Sequence, residues 1–204
     1  MIAVIDYGVG NLFSLCASLK KIGADAIVTR DLEVIKKADK IILPGVGAFG
    51  DAMDKLLETG LVPHLLALAA EGKPFMGICL GMQLLFERSF EFGEKQGLGL
   101  IKGSVCDLSA DIPQSLKVPH MGWNALDIRN PSEPLLKYVK QGECVYYVHS
   151  FYAKDCEESI MAGSEYHVFV PGVVRCGNVC GTQFHPEKSG EAGLRLLKNF
   201  VSLA

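Results

Sequence analysis

The sequence of 204 residues predicts an α/β fold: a mostly parallel sheet flanked by helices, with an antiparallel extension in the C-terminal half. Three observations predict it. In the first half, short apolar runs alternate with segments of helical period, as in parallel strands joined by helices. In the second half, strand-like runs follow one another across short turns. No linker, repeat or low-complexity segment interrupts the chain, so we expect a single domain over residues 1–204.

The first half alternates between the two kinds of element. Strands are predicted at residues 2–5, 26–28, 40–43 and 74–78, where short apolar runs end at turn residues. Helices are predicted at residues 12–22, 32–37, 51–58, 63–70 and 80–87. The alternation predicts a parallel sheet with helices on both faces.

The second half is dominated by predicted strands, at residues 122–128, 143–149, 160–166, 173–176 and 179–184. A final helix is predicted at residues 189–202, because Ala192, Leu196 and Phe200 share one stripe. These strands form the antiparallel extension.

Composition excludes several classes of function. Hydrophobic residues make up 49% and charged residues 21% of the chain, which is typical of a globular protein. The net charge of -3 argues against a nucleic-acid partner. No apolar run approaches the roughly 18 residues of a membrane helix, and the N-terminus lacks the basic segment of a signal peptide. We expect a cytoplasmic protein with no membrane partner.

The seven cysteines show neither a CxxC pair nor zinc-finger spacing with histidine. We interpret most of them as reduced, buried thiols and expect no metal site. The glycines at residues 8 and 10 lack the third glycine of the dinucleotide pattern, and we expect no cofactor.

One cysteine has a distinctive context. Cys79 lies in Gly77-Ile78-Cys79-Leu80-Gly81, between a predicted strand and a predicted helix. This is the pattern of a nucleophile elbow, in which small residues allow a sharp turn. The helix start favours a thiolate, and the Leu80 N–H group can point at an oxyanion. A buried structural cysteine in a glycine-rich turn is the alternative.

A second constellation follows the last predicted strand. His185 and Glu187 are two residues apart, so both lie on one side of an extended backbone. A histidine base oriented by a carboxylate would complete a nucleophilic triad with Cys79. On its own, this segment would be read as a surface turn.

Six segments carry a resemblance to a known family. Residues 74–83 (PFMGICLGMQ) and 181–187 (GTQFHPE) resemble the class I, triad-type glutamine amidotransferases. Residues 5–12 (IDYGVGNL), 43–49 (LPGVGAF), 119–124 (PHMGWN) and 147–152 (YVHSFY) are similar to the glutaminase subunits of imidazole glycerol phosphate synthase. The resemblance spans the chain and implies a flavodoxin-like, class I glutamine amidotransferase-like fold. Phe151 departs from the tyrosine expected at that position.

The resemblance implies a role for each part of the site. Cys79 would attack the side-chain amide of L-glutamine, His185 would move the protons, and Glu187 would fix the imidazole tautomer. The oxyanion hole would be formed by Leu80 and by the loop containing Val46 and Gly47. Glutamine would be bound by the residues Gly45, Gln83, Glu91, Ser150 and Phe151.

Other interpretations remain open for several residues. Gln83 is otherwise an ordinary solvent-facing helix residue, and Glu91 is equally a solvated charge. Asn11 is interpreted as a loop organiser, with a partner interface as its alternative role. The resemblance places four residues at that partner interface: His120, Met121, Trp123 and Asn124. Core packing of the tryptophan is the alternative for these four. We expect His64, His149 and His167 to be structural.

The implied function is a glutaminase that delivers ammonia to a (β/α)8-barrel cyclase subunit, which makes imidazole glycerol phosphate and AICAR in histidine biosynthesis. The phosphorylated substrate would bind to the partner, because this chain has no basic cluster. One alternative is a glutaminase subunit serving another synthase, such as that of pyridoxal phosphate. A non-catalytic binding relative is the other alternative.

Overall fold

The computed structural model describes residues 1–203, which form three sheets surrounded by helices. The strands are β1 (Ile2–Ile5), β2 (Ala26–Thr29), β3 (Lys40–Gly45), β4 (Phe75–Cys79), β5 (Phe86–Ser89), β6 (Lys95–Gln96), β7 (Ile101–Asp107), β8 (His120–Ala125), β9 (Asp127–Ile128), β10 (Cys144–His149), β11 (Phe151–Lys154), β12 (Ile160–Tyr166), β13 (Val168–Cys176) and β14 (Val179–Thr182). The α-helices are α1 (Leu12–Lys21), α2 (Leu32–Lys37), α3 (Phe49–Glu58), α4 (Val62–Ala70), α5 (Leu80–Gln83) and α6 (Gly190–Ser202). Within residues 1–203, no helix is both long and apolar enough to cross a membrane.

The main sheet has eight strands in the order β2-β1-β3-β4-β14-β13-β12-β9. The first five are parallel, and the last three continue the sheet in antiparallel pairing. The predicted mostly parallel sheet with an antiparallel extension is confirmed.

The central strands are continuous apolar runs because both of their faces are covered. Every residue of β1, β3 and β4 is buried. One hydrophobic cluster packs beneath α3 and α4 on one face, and a second packs beneath α1 and α6 on the other. Helices therefore cover both faces of the parallel part.

The predicted helix at residues 80–87 is wrong beyond its first turn. Helix α5 ends at Gln83, and Phe86 begins strand β5, which pairs in parallel with β7. Leu84, Leu85 and Phe86 are all fully buried, and a short apolar run of this kind does not distinguish helix from strand by its period. Strands β5, β6, β7 and β11 form a four-stranded sheet, β11-β7-β5-β6, that we did not predict.

Three strand ends meet at one edge of the main sheet. Gly45 at the end of β3 lies opposite Cys79 at the end of β4, and Thr182 at the end of β14 lies opposite Ile78. Ligands of open α/β sheets bind beyond the carboxyl ends of parallel strands. This edge is therefore where a site is expected.

Candidate active site

Cys79 lies on a sharp turn between β4 and α5. Its backbone dihedrals, φ 54° and ψ −113°, put a residue with a side chain in a region that normally favours glycine. The turn is possible because a Cβ on Gly81 would overlap the Leu43 carbonyl, and one on Gly77 would overlap the Gly81 carbonyl. Strain of this kind at the end of a strand is typical of a nucleophile elbow.

His185 and Glu187 form a buried pair beside this turn. The Nδ1 atom of His185 is 2.8 Å from Oε1 of Glu187, and the two side chains are only 3% and 2% exposed. Burial disfavours the imidazolium, but hydrogen bonding and charge from Cys79 and from Glu187 outweigh it and raise the pKa of His185 to about 9. The backbone of His185 is fixed by two hydrogen bonds. Its N–H donates to the Tyr146 carbonyl at 3.1 Å, and its carbonyl accepts from the Ser189 hydroxyl at 2.6 Å.

The loop after β3 approaches the nucleophile from the other side. A Cβ on Gly45 would lie 2.6 Å from the Gly81 nitrogen, so the two segments touch only because neither residue has a side chain. The Tyr7 hydroxyl donates to the Pro44 carbonyl at 2.7 Å, and burial raises the pKa of Tyr7, which keeps this donor neutral. Gly47 has φ +98°, a conformation that residues with a side chain rarely adopt.

A cavity of about 430 Å³ opens between these segments. Its walls include nine residues named from the sequence: Val46, Gly47, Cys79, Leu80, Gln83, Glu91, Ser150, Phe151 and His185. Glu187 lies behind His185, and Gly45 lies beside Cys79 in the sheet. The cavity has the size of a small-molecule site.

Two of the open interpretations are resolved by burial. Gln83 is buried and donates from Nε2 to the Phe151 carbonyl at 2.9 Å, so it is not a solvent-facing residue. Glu91 is also buried, and its Oε2 accepts from the Phe49 N–H at 2.7 Å, so it is not a solvated charge. Burial raises the pKa of Glu91, and the Phe49 N–H partly offsets this.

His149 was expected to be structural, but the structure places it in the cavity wall. Its Nδ1 is 2.9 Å from the Phe151 carbonyl oxygen, so Nδ1 carries the proton, and its Nε2 is 2.9 Å from Nδ1 of His120. Burial, with His120 adding a smaller effect, lowers the pKa of His149 to about 3. His149 is therefore a neutral imidazole that fixes the Phe151 carbonyl, and the signal in the sequence was the segment of residues 147–152 (YVHSFY), which contains both residues.

The expected interface residues divide between two faces of β8. Met121 and Trp123 are 65% and 56% exposed. His120 is buried and stacks against the rings of Tyr147 and Tyr166, so its side chain does not lie on the exposed face of β8. Alternation along the strand explains the difference, because successive side chains point to opposite faces.

Two other expected interface residues are partly buried. Asn124 places its Oδ1 2.9 Å from Nε2 of His120, which connects the surface strand to the histidine pair. Asn11 precedes α1 and makes no side-chain cap.

A larger cavity, of about 550 Å³, lies elsewhere between β11 and β13. Its two cationic side chains are both paired: Arg129 with Asp127 at 2.9 Å and Lys154 with Asp111 at 3.0 Å. Among residues 1–203, no group of three or more His, Cys, Asp or Glu side chains is placed to hold a metal ion.

Comparisons with known proteins agree with the geometry. The profile of the family Glutamine amidotransferase class-I matches residues 3–203. The imidazole glycerol phosphate synthase subunit HisH of Caldanaerobacter subterraneus subsp. tengcongensis is 50% identical over 201 residues, covering 98% of this chain and 97% of that protein. The HisH subunit of Bacillus licheniformis is 53% identical over 204 residues, covering 98% and 95%.

Two solved structures share the fold at low identity. A glutamine amidotransferase has a TM-score of 0.76 at 19% identity, covering 98% of this chain and 97% of that one. PurLQS from Thermotoga maritima has a TM-score of 0.74 at 22% identity, covering 98% and 96%. The profile match and the identity over nearly the whole length show that the chain belongs to the class-I glutamine amidotransferase family and, within it, to the HisH subunits of imidazole glycerol phosphate synthase.

Proposed function

We propose that the single domain of residues 1–204 hydrolyses L-glutamine to glutamate and ammonia through a thioester on Cys79. We further propose that it delivers the ammonia, in the cytoplasm, to a (β/α)8-barrel cyclase that makes imidazole glycerol phosphate and AICAR. The observation that carries the proposal is the meeting of Cys79 with the His185–Glu187 pair at one cavity, at the carboxyl ends of β4 and β14. The relatives named HisH support the choice of this synthase over that of pyridoxal phosphate.

The first step is attack of the Cys79 sulfur on the carboxamide carbon of glutamine. Nε2 of His185 takes the thiol proton as the sulfur attacks, and the raised pKa of His185 favours the imidazolium that results. Glu187 accepts from Nδ1, which leaves Nε2 to face the reacting atoms. Nε2 then donates the proton to departing ammonia, and the γ-glutamyl thioester remains.

The second step hydrolyses the thioester. His185, now neutral, takes a proton from water as the water oxygen attacks the thioester carbonyl. Collapse of the tetrahedral intermediate releases glutamate and restores the thiolate. Both intermediates carry an oxyanion, for which the donors are the N–H group of Leu80 and that of Val46 or Gly47.

Recognition of glutamine uses other residues that line the same cavity. Glu91, buried and acidic, suits the α-ammonium group, and the backbone of Ser150 and Phe151 suits the α-carboxylate. Gln83 contacts the substrate from the helix after Cys79, and Gly45 allows the close approach of the loop. The exposed side chains of Met121 and Trp123 support a partner surface on β8. Asn11, His120 and Asn124 are the other residues proposed for this interface.

A reactive glutamine analogue tests the nucleophile. A glutamine-mimicking electrophile should label Cys79 in preference to the other six cysteines and abolish glutaminase activity. Peptide mass spectrometry identifies the labelled residue. Labelling of Cys106 or Cys176 instead, with activity retained, would show that the nucleophile is not Cys79.

The division of labour is tested with the assembled synthase. A Cys79→Ala complex should lose synthesis driven by glutamine and keep synthesis driven by ammonium salts, because the cyclase holds the phosphorylated substrate. Loss of both reactions in an intact complex would contradict the proposed division. Loss of neither would favour a non-catalytic relative.

A further inference from the structure

The side chain of Gln183 is fully buried beside the nucleophile and has no part in the steps above. Its Oε1 accepts a hydrogen bond from Nε2 of Gln83 at 3.0 Å. Its Nε2 lies 4.0 Å from the sulfur of Cys79. The amide of Gln183 therefore spans the space between Gln83 and the reacting atom.

The orientation of both amides follows from one backbone group. The Phe151 carbonyl can only accept, so Gln83 must turn its Nε2 toward it, at 2.9 Å. The same nitrogen then faces Gln183, which must present its oxygen. The remaining N–H of Gln183 is consequently directed at the sulfur, and an exchange of nitrogen and oxygen in either amide would put like groups together.

The position of Gln183 is fixed by its backbone as well. Its N–H donates to the Gly172 carbonyl at 3.0 Å, which continues the pairing of β14 with β13. The flanking residues Thr182 and Phe184 are fully buried. The side chain is held in place before any substrate arrives.

We propose that Gln183 is a catalytic residue: its Nε2–H group donates to the sulfur of Cys79 and stabilises the thiolate that attacks glutamine. The proposal deepens the proposed function and rests on Cys79 being the nucleophile. No proton is transferred by Gln183, since the thiol proton goes to His185. The separation of 4.0 Å is at the long end for a hydrogen bond to sulfur, and a full negative charge on the sulfur strengthens such a bond.

An amide suits this place better than a charged group. It does not titrate, so it favours the thiolate equally at every pH, and it cannot return a proton to the sulfur. The titratable groups around the same cavity, in contact with Cys79 or near it, are Tyr7, Glu91, His149, His185, Glu187 and Lys188. A substitution of Gln183 alone removes none of these six groups.

The test compares the pH dependence of Cys79 alkylation in three variants of the full chain. Gln183→Met keeps the length of the side chain and removes the donor. Gln183→Glu keeps the acceptor for Gln83 and replaces the donor with an acceptor. Thr182→Val is the matched control at the residue next to Gln183. It removes the buried hydrogen bond that the Thr182 hydroxyl donates to the Phe184 carbonyl at 3.0 Å.

Iodoacetamide is the probe, and the alkylated Cys79 peptide is quantified by mass spectrometry at each pH. We expect the midpoint of the profile to move up by about one pH unit in Gln183→Met, the size of one hydrogen bond to a charged group. Gln183→Glu should move it at least as far in the same direction, and Thr182→Val should leave it in place. Thermal unfolding shows whether each variant folds. If one of the two Gln183 variants does not fold, the pH profile of the other is used for the comparison.

Two results would overturn the proposal: an unchanged midpoint in a folded Gln183 variant, or an equal shift in Thr182→Val. The wild-type protein separates this failure from failure of the proposed function. If alkylation of wild-type Cys79 leaves glutaminase activity intact, Cys79 is not the nucleophile. If alkylation abolishes activity while the Gln183 profiles match wild type, only the role of Gln183 is wrong.

Discussion

Oε1 of Glu187 accepts a hydrogen bond from Nδ1 of His185 at 2.8 Å, while Oε2 of the same carboxylate is buried without a hydrogen-bond partner among residues 1–203. A buried carboxylate with one unpaired oxygen is unfavourable unless a cation balances it. His185 is the group in position to do so. The carboxylate thus favours the charged imidazolium as well as orienting the ring.

Glu187→Gln tests this relationship. The amide keeps the shape of the side chain but removes the charge, so the pKa of His185 should fall and glutamine turnover should drop by about 100-fold or more. The pH titration of the His185 ring by NMR measures the first effect, and steady-state kinetics measures the second. Full turnover in Glu187→Gln would show that the carboxylate has no catalytic role.

The histidine pair predicts a loss of stability in acid. His149 has a folded-state pKa of about 3 against 6.5 when free, so below about pH 6.5 the unfolded chain binds a proton that the folded chain does not. Stability therefore falls as the pH drops from 6.5 toward 3, by about 2 kcal/mol between pH 7 and pH 5 from this residue.

Urea unfolding at pH 7 and pH 5 measures this effect. The acid-induced loss should be smaller in His149→Gln than in wild type, and the exposed His64→Gln is the control that keeps the wild-type dependence. The same loss in all three proteins would contradict a neutral, buried His149.

The elbow predicts a sharp contrast between two glycines. Gly81→Ala would force a Cβ into the Leu43 carbonyl and should lower the free energy of unfolding by about 3 kcal/mol. Gly50→Ala is the control, because a Cβ there meets only the Lys95 side chain at 3.5 Å, within helix α3, where alanine is favoured. Equal stability of the two variants in urea unfolding would contradict the close packing of the elbow.

The exposed face of β8 predicts where the proposed cyclase binds. Trp123→Ala should raise the dissociation constant of the complex by about 10-fold or more, since buried tryptophans dominate interfaces. Leu57→Ala removes an exposed apolar side chain from α3 and should leave the constant unchanged. Calorimetric titration measures both, and equal effects would place the interface elsewhere.

Several elements in the first half of the fold are predictable because their periodicities are unambiguous. Strand β1 and helix α2 have the bounds that the sequence predicts, since apolar runs there end at turn residues. The helix predicted after Gln83 was wrong because Leu84, Leu85 and Phe86 are all fully buried, so the sequence there has no alternation of apolar and polar residues to indicate a period. Only the long-range pairing of β5 with β7 determines that this segment is a strand.

Local motifs located the two halves of the site, whereas its supporting residues depend on contacts far apart in the chain. Cys79 and His185 stand in recognisable short patterns. The bond from Gln83 to Gln183 joins residues that are 100 positions apart, so no local pattern contains it. Gln183 lies in the segment of residues 181–187 that carries the resemblance, two residues before His185. The expected extended backbone through Glu187 is wrong, because Pro186–Lys188 form a short 3-10 helix, so alternation does not place Gln183 beside Cys79.

Trapping of the covalent intermediate tests the central claim most directly. The synthase complex, quenched in acid during turnover of isotopically labelled glutamine, should carry one labelled γ-glutamyl group on the peptide containing Cys79. The His185→Asn complex should show little of the adduct, because the proton transfer that forms it is lost. A labelled adduct on a different cysteine, or full turnover by a Cys79→Ala complex, would contradict the account.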